Sequence, residues 1–353
     1  MFNQVDITLG DRLITQSDSM YTYRAYIESI LNYSSNALDT QLSAGLFFKD
    51  TLAHFEDKEL DGNIKSFVKR ASFATSSREF NLLLPIHSDL FFKDELLING
   101  IDLKVKLNHN KDSFCLINRD AEQYKLVILS ASLFVKTVNV PPNVRLAHTK
   151  ALQLLTAKYA IGKVALKTFI IPPSTRLTQQ PSLFFRQLPK LITIGFADNT
   201  GFSSLYTSNP FNFKHYNINY MALFQGGAVI PEKPCTPIFG DANFFREYLG
   251  LVSIARRHLC DSGVIESREG YMSSYTLFAI DMTPDKEEGH HYSLIKNGNL
   301  KPQIRFRQRL AANEKIVVFS VFGNVIKINH AQNILFEYLE NIVKQTLFRF
   351  RIS

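Results

Sequence analysis

Tryptophan is absent from the 353-residue chain, and cysteine is nearly so, with single residues at positions 115, 235 and 260. Three cysteines, odd in number and without a C-x-x-C pair, give no basis for a disulfide framework or a cysteine-built zinc site, and they place the chain in a reducing compartment. No stretch reaches the roughly 18 consecutive apolar residues of a membrane span. Met1 is followed by Phe-Asn-Gln-Val-Asp and not by a basic segment and an apolar core, so no secretory leader is expected. Also missing are H-E-x-x-H, the G-x-S-x-G elbow, and a glycine loop closed by Lys-Ser or Lys-Thr; "GFADNTGF" at Gly195 has neither the lysine nor the spacing.

What the chain does hold is aromatic and apolar: 29 Phe and 14 Tyr in a hydrophobic content of 45%, a composition that favours sheets. The net charge of +8 comes from 40 Lys and Arg scattered among 32 acids. Without an arm or a run of cations, it permits non-specific contact with DNA and specifies no more.

Alternation in "IDLKVKL" puts Ile101, Leu103, Val105 and Leu107 on one face of a half-buried strand. Further strands are predicted in "FNQVDITL" near the start, "YKLVILSASLFVKTVNV" from Tyr124, "KVALKTFII" from Lys163, "KLITIGF" from Lys190 and "YNINYMALF" from Tyr216. The series continues with "YTLFAIDM" from Tyr275, "QIRFRQRL" from Gln303 and "KIVVFSVFGNVIKI" from Lys315. Four helical patterns interrupt them. "YTYRAYIESILNY" spaces Tyr23, Tyr26, Ile27, Ile30 and Leu31 along one face, and "RLAHTKALQLLTAKYA" from Arg145 follows Pro141 and Pro142 between two strand-rich halves. "DANFFREYLGLVSIARRHL" is read as capped by Asp241 and closed by Arg256, Arg257 and His258. "QNILFEYLENIVKQTLF" ends the series. The expected cores hold Leu103, Val105, Leu107, Leu126 and Ile128 in the first half, and Ile192, Ile194, Leu277, Phe278, Val318 and Phe319 in the second.

Chemistry is sought first in "PDKEEGHHYS". Adjacent residues of an extended segment point to opposite sides, so His290 and His291 make a poor metal pair. With Glu287 and Glu288 they read as a polar loop. Asp281 and Asp285 flank Pro284 and read as turn formers. His87 and His109 read as surface or hydrogen-bonded residues. "RFRQRL" and "FRFRIS" alternate cations with apolar residues; a nucleic-acid platform is conceivable there, but a charged solvent face of a strand is commoner. No catalytic, cofactor-binding or metal-binding residue is assigned, no cofactor is expected, and the chain is read as not an enzyme.

Taken in order, "FNQVDITLGDRLIT", "YTYRAYIESILNY", "LPIHSDLFFKDELLINGIDLKVKL", "YKLVILSASLFVK", "NPFNFKHYNINYMALF", "REYLGL", "GYMSSYTLFAIDMTPD" and "YSLIKNGNLKPQIRF" resemble the major capsid protein of Polinton (Maverick) elements and adintoviruses. Similarity to capsid proteins of large nucleocytoplasmic DNA viruses is more distant. The resemblance, which runs to about Ile328, implies an all-β double jelly-roll: a first jelly roll at 1–144, a connecting helix at 145–160 and a second jelly roll at 161–328; residues 329–353 depart from the family and are read from their own spacing as a helical tail. Family members carry strands upstream of "FNQVDITL", so the first jelly roll is expected to be N-terminally truncated, with unpaired edges open to aggregation or to rescue by another chain. The implied function is a structural virion protein, a homotrimeric subunit of an icosahedral capsid around double-stranded DNA. Its partners would be further copies of itself and a minor capsid (penton) protein. Its location would be the virion, after an intracellular phase. The alternatives are a domesticated or decaying capsid relative that does not assemble, a lectin-like β-sandwich binding module, and a β-rich hydrolase.

Overall fold

The computed structural model describes residues 1–52, 54–55, 65–117, 124–180, 182–184, 186–202, 206, 208–257, 263–283 and 296–336. In chain order the elements of the first half are β1 (Phe2–Leu9), β2 (Arg12–Leu13), α1 (Tyr21–Asn32), α2 (Lys65–Ala74), β3 (Leu103–His109), the single turn α3 (Asp112–Cys115) and α4 (Pro142–Leu154). Then come β4 (Ala157–Ile171), β5 (Leu177–Gln179), β6 (Leu191–Asp198), the single turn α5 (Asn199–Phe202), β7 (Ile218–Gln225) and β8 (Ala228–Cys235). The last are α6 (Phe245–Ile254), α7 (Arg268–Ser273), β9 (Leu277–Asp281), β10 (Leu300–Phe306), β11 (Glu314–Ile328) and β12 (Ile334–Phe336).

Among the described residues the strands form three sheets, ordered β2-β1-β3, β5-β10-β7-β8 and β12-β11-β6-β9, with β4 also on β11. Every named pairing within them is antiparallel. The last two sheets face each other across the larger core. Along β10, Leu300, Ile304 and Phe306 are buried while Lys301 and Arg305 are exposed, the period of two that a one-sided strand requires. Phe196 of β6 meets Phe306 from the facing sheet and Phe278 of β9 edge to face, each at 6.1 Å between ring centroids. Gly195, beside it, admits the Phe213 ring: a Cβ there would lie 2.7 Å from that ring. Strand β11 is buried on both faces from Glu314 to Ser320, as expected of a central strand. Ile192, Ile194, Leu277, Phe278, Val318 and Phe319 all lie in this core, as their periodicity indicates.

A smaller core gathers Leu9, Ile14, Tyr159, Ile161, Ile326, Ile328, Ile334 and Phe336. The residues expected to build the first core contribute less. Leu103, Val105 and Leu126 are half-buried, and Leu107 and Ile128 are exposed. The reason is position in the sheet. β1 is the central strand and carries the buried Val5, Ile7 and Leu9, while β3 pairs with it as an edge, setting Leu107, Val105 and Leu103 opposite them.

Four further expectations are corrected. Residues 124–140 form no strand, because no neighbouring chain among the described residues supplies a ladder. The connecting helix does not run over 145–160. It spans Pro142–Leu154, beginning on a proline suited to the first turn, and gives way at Ala157 to β4. The Val-, Ile- and Tyr-containing β4 pairs with β11 residue for residue over its whole length, Ala157–Ile171 against Glu314–Ile328, and a ladder of that length outweighs the helical pattern. It also crosses the expected boundary at 160/161 and serves both cores, Tyr159 and Ile161 in the smaller, Val164 and Leu166 in the larger. In the tail expected to be helical, Ile334–Phe336 form β12 on the end of β11, which buries Ile334 and Phe336; residues 337–353 lie outside the described residues. Finally, α6 starts at Phe245 and not at Asp241, which closes a short 3-10 turn before Ala242 takes a left-handed φ of 52°.

Helix α1 forms where its pattern predicts, but Tyr23, Ile27, Ile30 and Leu31 pack into the larger core, among residues of the second half.

Candidate functional site

His290, His291, Glu287, Glu288 and Asp285 lie outside the described residues, as do Cys260 and the "FRFRIS" segment. Asp281 behaves as a turn former: its Oδ1 accepts from the Thr283 backbone N–H at 2.8 Å and from the Thr283 hydroxyl at 2.6 Å. His109 is exposed at the end of β3. Cys235 is buried, its thiol pushed up to about 11 chiefly by that burial, and Cys115 is half-buried. Arg305 lies on the solvent face of β10, with its guanidinium 4.7 Å from the Tyr220 ring centroid. Among the described residues no three His, Cys, Asp or Glu side chains converge on a metal-sized site, and no helix is long and apolar enough to cross a membrane.

Two polar clusters were not foreseen as units. In the first, Arg24 reaches Glu28 one turn along α1 at 2.8 Å and Asp89 at 3.0 Å, while His87 Nδ1 lies 2.9 Å from the other Glu28 oxygen. The His87 backbone N–H donates to the Tyr21 hydroxyl at 2.9 Å. Burial raises the carboxyl of Asp89 above its usual range, against the pull of Arg24. Asp89 sits over Gly162 of β4, where a Cβ would lie 3.1 Å from its Oδ1. The cluster therefore ties α1, the turn at 86–92 and β4 together. Only the Arg24–Glu28 spacing of four is visible in the sequence. Beside it a cavity bordered by Gln4, Asp18, Tyr21 and Arg24 encloses about 20 Å³, room for about one water and not for a substrate.

In the second cluster, Lys49 Nζ stands 3.0 Å from Glu266 Oε2 and donates to the Ile265 carbonyl at 3.1 Å. Asp50 accepts from Arg70, from Ser66 at 3.1 Å and from Asn209 at 3.3 Å. Glu266 is 2% exposed, and burial pushes its carboxyl up to about 7 despite Lys49. The Lys49 contact is ionic, but neither Glu266 oxygen receives a well-aligned hydrogen bond among the described residues. With more than two hundred residues between Lys49 and Glu266, sequence offered no signal.

Replacing Glu266 by Gln should flatten the pH dependence of stability. The folded-state pKa is raised, from 4.5 to about 7, so this carboxyl's contribution is fully present below about 4.5 and is lost as pH rises through about 7. At pH 8 the buried carboxylate costs up to about 3 kcal/mol, a cost the amide removes while Lys49 keeps the Ile265 carbonyl. Urea denaturation should show the variant more stable than wild type by about 1–3 kcal/mol at pH 8 and equal to it near pH 4. A loss of stability at pH 8 would mean that the lysine contact outweighs the burial.

A third feature is apolar and exposed. From Tyr124 to Leu155 the exposed large hydrophobics are Tyr124, Val127, Ile128, Leu129, Leu133, Phe134, Val135, Val138, Val144, Leu146, Leu154 and Leu155. The described residues thus present two closed polar clusters and an open apolar surface, and an exposed apolar surface of that extent is suited to contact with another chain.

No protein-family model matches the chain. The Caenorhabditis elegans relative described as "Uncharacterized protein F54H12.2" is 20% identical over 336 residues, which cover 92% of this chain and 77% of the relative. Among solved structures, a chain of the Sputnik virophage superposes over 100% of this chain and 77% of its own length, with a TM-score of 0.54 at 10% identity. The VP54 protein of PBCV-1, as fitted into a reconstruction of Sputnik, covers 96% of this chain and 83% of its own, with a TM-score of 0.51 at 10% identity. Both neighbours are double jelly-roll major capsid proteins, and the fold of this chain is of that kind.

Proposed function

We propose that the chain is a structural capsid subunit, related to the major capsid proteins of Polinton (Maverick) elements and adintoviruses, and not an enzyme. The observation that carries this reading is the likeness in fold to the Sputnik chain along the whole length of this one. Two facing sheets around an apolar core, with closed polar clusters, suit a subunit whose work is done by broad surfaces. In this reading no residue is catalytic, no cofactor is required, and three copies pack into a capsomer of an icosahedral shell in the virion, with a penton protein and the enclosed DNA as further contacts. The first jelly roll comprises residues 1–144 and the second 161–328, joined through 145–160, and both draw on the β4–β11 ladder.

That ladder makes the division testable. Trypsin should cut early at the exposed Arg145 and Lys150, yet the two fragments should stay associated on a native gel, because α1 packs in the larger core. Fragments that separate at once would refute the shared core.

The capsid reading is tested by mass photometry and negative-stain microscopy of the purified chain. Three-fold particles, or shells at higher concentration, are the expected result. A single species that never exceeds a monomer across the concentration range would overturn it. A second reading, a capsid relative retained by a host genome that does not form shells, is favoured by one observation: the matching relative belongs to a nematode. Oligomers without three-fold symmetry, and no shells at any concentration, would select it.

A further inference from the structure

The segment 124–155 carries an apolar surface on the order of 1,000 Å², about two to three times a typical monomer's largest patch and more than one side of a standard interface. Val127 is 62% exposed, Leu129 68% and Phe134 81%. The segment holds four cations, Lys125, Lys136, Arg145 and Lys150, and no carboxylate. Among the described residues, no backbone hydrogen bond reaches residues 127–140. In an extended conformation one face would carry Val127, Leu129, Ala131, Leu133 and Val135 and the other Ile128 and Phe134 on either side of Ser130 and Ser132, so both faces hold large apolar side chains, as in a strand that lies within a sheet. Beside it, every residue of α4 from Pro142 to Lys150 is exposed, and a helix of that length is marginal in water without something packed against it.

The sequence indicates what would pack there. Residues 127–135 read Val-Ile-Leu-Ser-Ala-Ser-Leu-Phe-Val, which is symmetric in chemical class about Ala131. A contact across a two-fold axis requires that residue i meet j while j meets i, and an antiparallel pairing centred on Ala131 meets it. Val127 falls opposite Val135, Ile128 opposite Phe134, Leu129 opposite Leu133 and Ser130 opposite Ser132. Lys125 falls opposite Thr137 and Lys136 opposite Leu126, so no cation faces a cation, which would be unfavourable in such a pair. Moving the centre by one residue to either side sets Ile128 or Phe134 against a serine.

We propose that residues 127–135 pair antiparallel with the same residues of a second copy of this chain, forming a two-stranded ribbon on the two-fold axis of a dimer. The pairing satisfies backbone groups for which the described residues supply no backbone partner, and the adjacent α4 helices lie where they can cover the ribbon. It requires only a second copy and does not depend on the capsid reading, in which copies meet around a three-fold axis.

Cysteine cross-linking of the full chain tests the register. Across the two-fold axis Ala131 faces itself, whereas two Lys125 residues lie at opposite ends of the ribbon. Mild oxidation of Ala131→Cys should give several-fold more disulfide-linked dimer than Lys125→Cys or the wild-type chain, which controls for the native cysteines. Equal yield from both variants, or none from either, overturns the pairing. Sedimentation of Leu129→Lys/Leu133→Lys, substitutions at exposed positions, should show half the wild-type mass with an unchanged circular dichroism spectrum. A wild-type chain that is monomeric, or one whose mass the double variant leaves unchanged, also overturns it. A three-fold particle whose mass the double variant leaves unchanged sinks the ribbon and keeps the capsid reading; a dimer that never forms three-fold particles does the reverse.

Discussion

Phe196→Ala should lower stability by about 3–5 kcal/mol, the largest loss expected from a single side chain. Phe196 is fully buried on β6 and is where the two facing sheets meet, since its ring contacts Phe278 of its own sheet and Phe306 of the other. Truncation removes the apolar area, leaves a cavity that two sheets held by their ladders cannot close, and forfeits two edge-to-face pairs worth about 0.5–1.5 kcal/mol each. Against a typical total of about 5–15 kcal/mol, the variant would be close to its unfolding limit at 37 °C. Urea denaturation measures the loss, with Phe196→Leu, which keeps most of the volume, expected to cost less than half as much. A cost below about 1 kcal/mol for the alanine variant would show that the sheets do not pack through this ring.

Arg24→Ala should cost nearly as much, by a different route. Arg24 is the cation between Glu28, 7% exposed, and Asp89, and its removal leaves the buried Glu28 carboxyl and the half-buried Asp89 carboxyl without it, with His87 Nδ1 as the remaining contact of Glu28. Breaking a buried pair from one side typically costs about 3–5 kcal/mol, because the remaining charge has lost its compensation, whereas neutralising both sides costs far less. The test is therefore a cycle. Arg24→Met/Glu28→Gln should recover much of the stability that Arg24→Ala loses, since Gln keeps a hydrogen-bonding atom for His87 and carries no charge. The same loss in both variants would make the site a packing position for the arginine stem and not an electrostatic clamp.

These two sites differ in how far the sequence discloses them. Phe196 belongs to "KLITIGF", whose run of apolar and β-branched residues marks a strand buried on both sides. Its core neighbours Ile192, Ile194, Leu277, Phe278, Val318 and Phe319 lie in apolar runs that the sequence marks as strands. For the clamp, the i, i+4 spacing of Arg24 and Glu28 is legible, but nothing in the sequence brings His87 and Asp89 onto α1. The Lys49–Glu266 contact is less legible still, and Glu266 reads as an ordinary surface acid until burial raises its pKa.

Periodicity by itself determined that this is an antiparallel β protein, where most of its strands lie, and that α1 is a helix with one apolar face. A local pattern records which side of an element avoids water, and in the second half that side coincides with the core. Tertiary structure alone decided which strand is central and which is an edge, and so made β1 and not β3 the source of buried side chains. It decided that β4 begins at Ala157 and links both cores, and that Ile334–Phe336 extend a sheet in place of starting a helix. It also left Tyr124–Val140, as apolar as any strand in the chain, outside every sheet that the described residues form. The physical reason is the same each time: a strand is completed by hydrogen bonds from a neighbour distant in sequence, and a pattern within one segment cannot show whether that neighbour is present.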